Sequence, residues 1–387
     1  MRIVEMRDCT VPLAGGVANA VVSFADHTVS LVALVSDQVR EGKPVIGFGF
    51  NSIGRYSQSG ILRERMFPRL SQADPAFLLS EDDGYFSPET ISTVAMKNEK
   101  PGGHGDRAGA LGALELAVWD LNAKLYEEPA YQNIARYFGR TIERRAMSVY
   151  AAGGYYYSGA STHRLREELK GYQGLGFDAF KIKIGGASLK EDLERIEAAL
   201  EIAGEGSHLS VDANGHFEKA EMLNYGQEIA PFGLRWYEEP GDPLDYALNS
   251  TLTEVYDGPI ATGENLFSVS DTNNLIRFGG MRRGKDIFQM DAGLSYGLTE
   301  YHKMITLLED NGFDRNNCFP HGGHLINLHI ALGLNLGGCE AYPGVFQPFG
   351  GYPSECEIRD GMVQPTDAPG FGLEQKAELR PYLDLLR

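Results

Sequence analysis

Residues 209–264 repeat one pattern three times. Three short apolar segments each end in an acidic residue: Leu209-Ser210-Val211-Asp212, Leu234-Arg235-Trp236-Tyr237-Glu238 and Ile260-Ala261-Thr262-Gly263-Glu264. The acids follow one another at intervals of 26 residues, which is enough for one strand and one connecting helix. The pattern therefore predicts consecutive parallel strands that carry carboxylates at their C-terminal ends.

Similar apolar segments flank this region on both sides. They are Met147-Ser148-Val149-Tyr150, Phe180-Lys181-Ile182-Lys183-Ile184, Ile287-Phe288-Gln289-Met290-Asp291, Cys318-Phe319-Pro320-His321 and Glu340-Ala341-Tyr342. Together the segments make eight candidate strands that recur every 25 to 32 residues or so, with helical patterns between them. Eight repeated strand–helix units are typical of a TIM barrel, an α/β fold.

The N-terminal third has a different pattern of apolar residues. Residues 1–60 contain strand-like runs at 18–25, 29–35 and 45–50, and residues 107–138 show apolar residues at helical spacing. Strands followed by helices predict an α+β unit. We expect domains at residues 1–140, 141–350 and 351–387, with the last segment packing back onto the first.

Composition excludes several functional classes. The chain has 35 Lys and Arg against 53 Asp and Glu, a net charge of −18, and no basic cluster that would favour nucleic acid. It contains no apolar run of membrane-spanning length and no N-terminal signal core. Its four cysteines show no CxxC spacing. We expect a cytoplasmic protein with reduced thiols that binds neither nucleic acid nor a membrane.

Asp212, Glu238 and Glu264 are candidate metal ligands. Neighbouring parallel strands lie about 4.8 Å apart, so three carboxylates at one height would converge and repel one another. A divalent cation relieves this repulsion, and ligation by oxygen alone favours a hard ion such as Mg2+. The alternative is three solvated loop carboxylates with no common focus.

Lys181 and Lys183 are candidate catalytic residues. Alternate residues of a strand point to the same face, so both ammonium groups would enter the same space. Two buried cations disfavour each other's charge, which would lower a lysine pKa towards the range of a general base. The alternative is an exposed, charged strand.

Asp291 and His321 end the sixth and seventh candidate strands and should be neighbours. A carboxylate bonded to one imidazole nitrogen fixes the tautomer and raises the basicity of the other nitrogen. The pair would suit proton transfer opposite Lys183. Glu340, on the eighth strand, is either a substrate-binding or a structural carboxylate.

These residues resemble the enolase superfamily and, within it, the mandelate racemase subgroup. The resemblance is carried by Lys181-Ile182-Lys183, Val211-Asp212-Ala213-Asn214, Trp236-Tyr237-Glu238-Glu239-Pro240, Gly263-Glu264-Asn265, the pair Asp291 and His321, and Pro369-Gly370-Phe371-Gly372-Leu373-Glu374. It implies a modified (β/α)7β barrel under an α+β capping domain built from both chain ends. It also implies one Mg2+ per active site, and removal of the proton α to a carboxylate with metal stabilisation of the enediolate.

Motifs outside the metal ligands resemble those of D-tartrate dehydratases. They are Asn98-Glu99-Lys100-Pro101-Gly102-Gly103-His104-Gly105, Tyr150-Ala151-Ala152-Gly153-Gly154-Tyr155-Tyr156-Tyr157, Gly241-Asp242-Pro243-Leu244-Asp245-Tyr246 and Pro320-His321-Gly322-Gly323-His324. The loop that follows Phe50 carries Asn51, but it has the apolar Ile53 where that pattern has a second asparagine.

This resemblance implies conversion of D-tartrate to oxaloacetate and water. Lys183 would remove the proton from an α-carbon of S configuration, and His321, oriented by Asp291, would protonate the departing β-hydroxyl. Lys181 and Lys100 would bind the two carboxylates. Asn51, Glu340 and His321 would also contact the substrate.

Other functions stay open from the sequence alone. The same residues would serve another acid-sugar dehydratase, or a racemase in which Lys183 and His321 act as two bases. A Schiff-base aldolase would use a barrel lysine as nucleophile and need no metal, and a non-catalytic binding protein could keep the barrel. We expect a small hydroxy acid as the partner molecule and a homo-oligomer as the assembled state.

Overall fold

The computed structural model describes residues 1–156 and 162–387 of the chain, so Tyr157 of the aromatic motif lies outside the described residues. The chain begins with a three-stranded antiparallel sheet in the order β1-β2-β3. Its strands are β1 (Ile3–Pro12), β2 (Thr28–Arg40) and β3 (Lys43–Phe50). The strand expected at 18–25 does not form. Its ends make one isolated bridge, and the Asn19 side chain accepts the backbone N–H groups of Val21 and Val22, which turns the chain.

Helices cover one face of this sheet. They are α1 (Ser59–Ile61), continued by a π-helical turn at Leu62–Met66, then α2 (Phe67–Ser71), α3 (Pro88–Ala95), α4 (Asp106–Tyr126) and α5 (Ala130–Tyr137). Helix α4 is buried along nearly its whole length. Its close approach to β3 depends on Gly47, where an added Cβ would lie 2.2 Å from the Ala117 carbonyl oxygen. We call residues 1–137 the capping unit.

A curled, mostly parallel sheet follows. Its strands are β4 (Met147–Ala152), β5 (Phe180–Lys183), β6 (Leu209–Asp212), β7 (Trp236–Glu238), β8 (Ile260–Thr262), β9 (Ile287–Phe288) and β10 (Cys339–Ala341). The helices around it are α6 (Thr162–Gly174), α7 (Leu189–Ala203), α8 (Lys219–Ile229), α9 (Tyr246–Val255), α10 (Val269–Phe278), α11 (Leu298–Asp310) and α12 (Leu325–Gly333). The strands pair in chain order from β4 to β9, and β10 pairs with β4. This is the expected α/β barrel.

The segment expected to be the seventh strand, 318–321, forms a single bridge to Phe288 instead. Phe319 donates its N–H to the Phe288 carbonyl at 2.9 Å, and Gly337, just before β10, donates to the Cys318 carbonyl at 3.2 Å. Pro320 has no N–H to donate, and His321 after it donates to the Gln289 carbonyl at 3.3 Å. The ring therefore closes through a few single hydrogen bonds.

The C-terminal segment contacts both the barrel and the capping unit. It contains a hairpin of β11 (Ile358–Arg359) and β12 (Met362–Val363) and a final helix, α13 (Arg380–Leu385). Strand β12 pairs antiparallel with β4, and Phe371 donates its N–H to Asp120 of α4 at 2.7 Å. The domain boundaries at 140 and 350 remain predictions. No helix in the described part of the chain combines the length and apolar character needed to cross a bilayer.

Candidate active site

Strand register brings three charged side chains to one level of the barrel. Lys183 pairs with Asp212, and Asp212 pairs with Glu238, across the parallel strands β5, β6 and β7. All three side chains are buried. Since side chains alternate along a strand, Lys181 faces the same interior two residues earlier.

Lys181 is the centre of a buried ion cluster. Its Nζ lies 2.5 Å from Glu238 Oε1, 2.7 Å from Glu340 Oε1 and 3.5 Å from Asp212 Oδ2. Lys183 Nζ lies 2.5 Å from the same Asp212 oxygen. We call Lys181, Asp212, Glu238 and Glu340 the barrel cluster.

The pKa values show how unevenly charge is shared in the barrel cluster. Burial alone would raise the pKa of Asp212, but Lys183 and Lys181 outweigh it and lower the value to about 2. Burial and the neighbouring Asp212 raise the pKa of Glu238 to about 8. For Lys181 the expected lowering of the pKa is wrong. Burial does lower it, but Glu238 and Glu340 raise it further, and it lies well above its usual value.

Two residues that hold Glu238 were missed in the sequence. Its Oε2 accepts hydrogen bonds from Trp236 Nε1 and Gln289 Nε2, both at 2.8 Å. Gln289 lies two residues before Asp291, on the same face of the chain, so the alternation rule could have found it. Both donors fix the carboxylate orientation beside Lys181.

Glu264 lies slightly apart from Asp212 and Glu238. It follows Gly263, which has φ +129° and leaves no room for a Cβ, since one would lie 2.8 Å from Met290 Sδ. Its nearest charged partner is His321, with Nε2 3.7 Å from Oε2. Within residues 1–156 and 162–387, no three His, Cys, Asp or Glu side chains are arranged so that they could hold a metal ion. The ligand role of the three acids therefore stays a prediction.

The donor set of the site nevertheless fits a hard divalent cation. Six carboxylates lie in or beside it, on Asp212, Glu238, Glu239, Glu264, Asp291 and Glu340. Two lysines and one histidine oppose them. Asn214 adds a buried Oδ1 that has no hydrogen-bond partner in the described structure. Oxygen donors with surplus negative charge are what Mg2+ prefers.

His321 is held between a carboxylate and a phenol. Its Nδ1 lies 3.2 Å from Asp291 Oδ2 and must donate, since an ionised carboxylate only accepts. Its Nε2 lies 3.2 Å from Tyr342 Oη. Burial lowers the pKa of His321, but Glu264 and the hydrogen bond to Asp291 raise it to about 9. The imidazole can therefore carry a transferable proton.

Lys183 and His321 open onto one cavity of about 250 Å3. Their side chains are only 7% and 9% exposed, so the cavity reaches deep between capping unit and barrel. Tyr155 packs its ring 5.2 Å from Lys183 Nζ. A cavity of this size is small for a ligand site and suits a short organic acid.

Three residues expected to bind substrate are placed differently. Lys100 is exposed and lines a separate cavity of about 600 Å3, formed with residues of α3, α4, α10 and α11, so the structure does not bring it to the site. Asn51 is fully buried, and its amide bonds the Ser30 N–H and the Ser52 carbonyl. Glu340 binds Lys181 and accepts the Gly322 N–H at 2.9 Å.

Comparison with known proteins identifies the family. The family model described as enolase C-terminal domain-like matches residues 164–379. The chain belongs to this family. Its membership agrees with the carboxylates, lysines and histidine that line the interior of the barrel.

Two relatives of this enolase-family chain are similar over nearly their whole lengths. Arabinonate dehydratase of Saccharolobus solfataricus is 27% identical, with 92% of this chain and 91% of that protein covered. L-talarate/galactarate dehydratase of Salmonella typhimurium is 26% identical, with 97% and 88% covered.

A solved relative shares the fold. L-Talarate dehydratase from Polaromonas sp. JS666, in complex with Mg and L-glucarate, superposes with a TM-score of 0.76. It is 23% identical, and the match covers 97% of this chain and 95% of that one. The capping unit over a barrel is thus the common architecture.

Proposed function

We propose that this protein is a Mg2+-dependent hydro-lyase that dehydrates a hydroxy acid. One observation carries the proposal. Lys183 and His321, each held by its own carboxylate, face the same small cavity beside a group of acidic oxygens. Removal of an α-proton and departure of a β-hydroxyl require one base and one acid on a shared substrate, and this pair provides both.

Asp212, Glu238 and Glu264 would hold the cation. Bound there, Mg2+ would supply positive charge against the negative charge that develops on the substrate carboxylate. Lys181 stays protonated, because Glu238 and Glu340 contact it directly, and it adds a positive charge within the barrel cluster. Trp236 and Gln289 keep the Glu238 carboxylate in place.

The two proton transfers belong to Lys183 and His321. Lys183 takes the proton from the carbon α to the substrate carboxylate, which leaves an electron pair on the substrate. The β-hydroxyl departs as water with the proton that His321 gives it from Nε2. Asp291 keeps the Nδ1–H of His321 in place and stabilises the charged imidazole before transfer. The enol product then becomes a 2-keto acid.

Within this class we propose a dicarboxylic substrate, D-tartrate, which loses water to give oxaloacetate. The motif resemblance to D-tartrate dehydratases and the small cavity support this choice. The relatives favour a second candidate, a longer acid sugar, since their names specify arabinonate and talarate or galactarate. We further propose that the protein assembles as a homo-oligomer.

A screen of hydroxy acids tests the proposal. The purified protein is incubated with all tartrate isomers and with five- and six-carbon acid sugars, with 5 mM Mg2+ or with EDTA, and keto-acid product is measured. We expect product that requires Mg2+, and D-tartrate as the best substrate. Product from pentonates or hexarates alone would select the second candidate. Epimerisation without water loss would identify a racemase, and full activity in EDTA would contradict the proposal.

A further inference from the structure

A single arginine of the capping unit reaches the candidate active site. Arg55 lies in the loop between β3 and α1, and it lines the same cavity as Lys183 and His321. It is partly exposed, whereas Lys183 and His321 are buried. Arg55 therefore lies nearer the mouth of the cavity, and the proton-transfer pair lies deeper.

The barrel and the preceding residue of its own loop hold the Arg55 guanidinium in place. Its Nη2 donates to Asn265 Oδ1, and its Nη1 donates to the Gly54 carbonyl at 2.7 Å. Its Cζ also lies 5.6 Å from the centroid of the Phe267 ring. An arginine held at three points loses little conformational entropy when it binds a ligand.

Glu239 fixes which end of the Asn265 amide faces Arg55. Both Glu239 oxygens lie 2.9 Å from Asn265 Nδ2. The guanidinium has only N–H donors, so it faces the amide oxygen, and the NH2 group is left to donate to Glu239. Asn265 Oδ1 must then face the guanidinium, and this contact joins the loop to the barrel.

Arg55 keeps donors for a ligand. A guanidinium has five N–H donors, and its two hydrogen bonds within the described residues leave three of them. The cavity wall also includes the apolar side chains of Val22, Ile53 and Phe346, and the carboxylates of Glu239 and Glu264. Of the described residues that line the cavity, Arg55, Lys183 and His321 are the basic ones, and Arg55 lies nearest the mouth. A ligand group that reaches Arg55 gains most if it is a planar anion.

We propose that Arg55 binds the second carboxylate of a dicarboxylic substrate, and so selects aldarates over aldonates. This inference rests on the proposed hydro-lyase function and assigns the role that Lys100 was expected to play. The first carboxylate lies at the deep end of the cavity beside Lys183, where the proposed cation would bind, and the chain of the substrate spans the cavity. Arg55 touches the distal end of the substrate, away from the reacting carbons, and determines specificity.

Arg55→Met tests this assignment, since methionine keeps the apolar stem and removes every donor. We compare kcat/KM for an aldarate and for the aldonate of the same length and configuration, such as D-tartrate against the matching trihydroxybutyrate. We expect a loss on the order of 100-fold for the aldarate, mainly in KM, because charged hydrogen bonds of this type contribute about that much. The aldonate should change less than about threefold. Arg55→Lys should recover part of the aldarate activity.

A binding measurement separates this proposal from the proposed function. Succinate and butyrate differ by one carboxylate, and calorimetry in Mg2+ buffer needs no turnover. We expect the wild type to prefer succinate and Arg55→Met to lose that preference. Arg277→Met is the matched control, since Arg277 is an exposed arginine over an aromatic ring, 4.9 Å from the Phe278 centroid, and it should change neither ratio.

Three outcomes would each overturn the assignment. Arg55→Met could lose equal activity on the aldarate and the aldonate, or the wild type could prefer aldonates. A folded Arg55→Met could also keep the wild-type preference for succinate. A wild type that turns over no hydroxy acid would overturn the proposed function alone. The succinate and butyrate affinities would then still decide the role of Arg55.

Discussion

Lys124 and Lys181 are both largely buried lysines among carboxylates, in different regions of the molecule. Lys124 of α4 lies 2.6 Å from Asp120 Oδ2 and 2.5 Å from Glu374 Oε1, and we call these three residues the capping cluster. Lys181 has two equally close carboxylates in the barrel cluster. The contacts of the two lysines with carboxylates therefore do not distinguish a structural site from a reactive one.

The remaining contacts of the carboxylates make the difference. In the capping cluster, Asp120 accepts the backbone N–H groups of Phe48 and Phe371, both at 2.7 Å. It thereby ties β3 and the C-terminal segment to α4. In the barrel cluster, the acids lie next to one another, and Asp212 contacts Lys183, which lines the cavity. Burial and the neighbouring Asp212 raise the pKa of Glu238 to about 8. Backbone N–H donors satisfy the carboxylate of the capping cluster. The crowded acids of the barrel cluster instead keep negative charge that a cationic ligand can neutralise.

The largest effect should come from Lys183, the lysine that joins the barrel cluster to the cavity. Lys183→Met removes the proposed base, so exchange of the substrate α-proton in deuterated water should fall roughly 1,000- to 10,000-fold. Nuclear magnetic resonance of the recovered substrate measures the exchange. Lys190→Met, at a lysine whose side chain is 87% exposed, should leave the rate unchanged. Exchange that persists in Lys183→Met would assign the base elsewhere.

The two clusters should respond differently to Mg2+ when each loses its lysine. Lys124→Met and Lys181→Met both remove a cation that neutralises buried carboxylates, which costs about 3 to 5 kcal/mol of unfolding free energy. Adding 5 mM Mg2+ should restore much of the loss in Lys181→Met, because a cation bound only by the folded state stabilises it. In Lys124→Met, Mg2+ should raise the unfolding free energy by no more than it raises that of the wild type. Denaturant unfolding with Mg2+ or EDTA gives both values, and equal responses would break the comparison.

We expect a smaller effect on stability from His329, a buried neutral histidine near the capping cluster. His329 of α12 accepts the Tyr131 N–H through Nδ1 at 3.3 Å and lies 5.7 Å, centroid to centroid, from the Phe371 ring. Burial lowers its pKa to about 3 from 6.5. Its contribution to stability is therefore complete above pH 6.5 and is lost as the pH falls towards 3.

His329→Gln should reveal this pH dependence. The unfolding free energies of wild type and variant should converge by about 2 kcal/mol between pH 7.5 and pH 5, because one pKa unit corresponds to about 1.4 kcal/mol. Denaturant unfolding at the two pH values measures the difference. A difference that is constant with pH would show that the pKa of His329 is the same in the folded and the unfolded protein.

Sequence patterns predicted the barrel because its strands are short apolar runs at regular spacing. They failed at 318–321, which forms a single bridge instead of a strand, and at 18–25, where Asn19 turns the chain. They placed Asp291 beside His321, since consecutive strands are neighbours. The catalytic and ligand roles of these residues remain predictions.

Contacts across the capping unit could not be read from local patterns. Arg55 meets Asn265, a residue 210 positions away, and only the docking of the loop onto the barrel brings them together. Lys100 was placed by motif resemblance, and the structure puts it against α10 and α11 instead. The pKa of Lys181 was misjudged because its repulsion by Lys183 was weighed without Glu238 and Glu340.

The ring of strands closes through few hydrogen bonds at residues 318–321, so we expect the two sides of the cavity to differ in rigidity. Lys183 sits on β5, which pairs with strands on both sides, whereas His321 follows a segment joined to β9 by one bridge and a 3.3 Å bond from its own N–H. Segments with few backbone bonds open at lower energetic cost. We therefore expect Lys183, the proposed base, to be held more rigidly than His321, the proposed acid, which would let the acid follow the leaving hydroxyl.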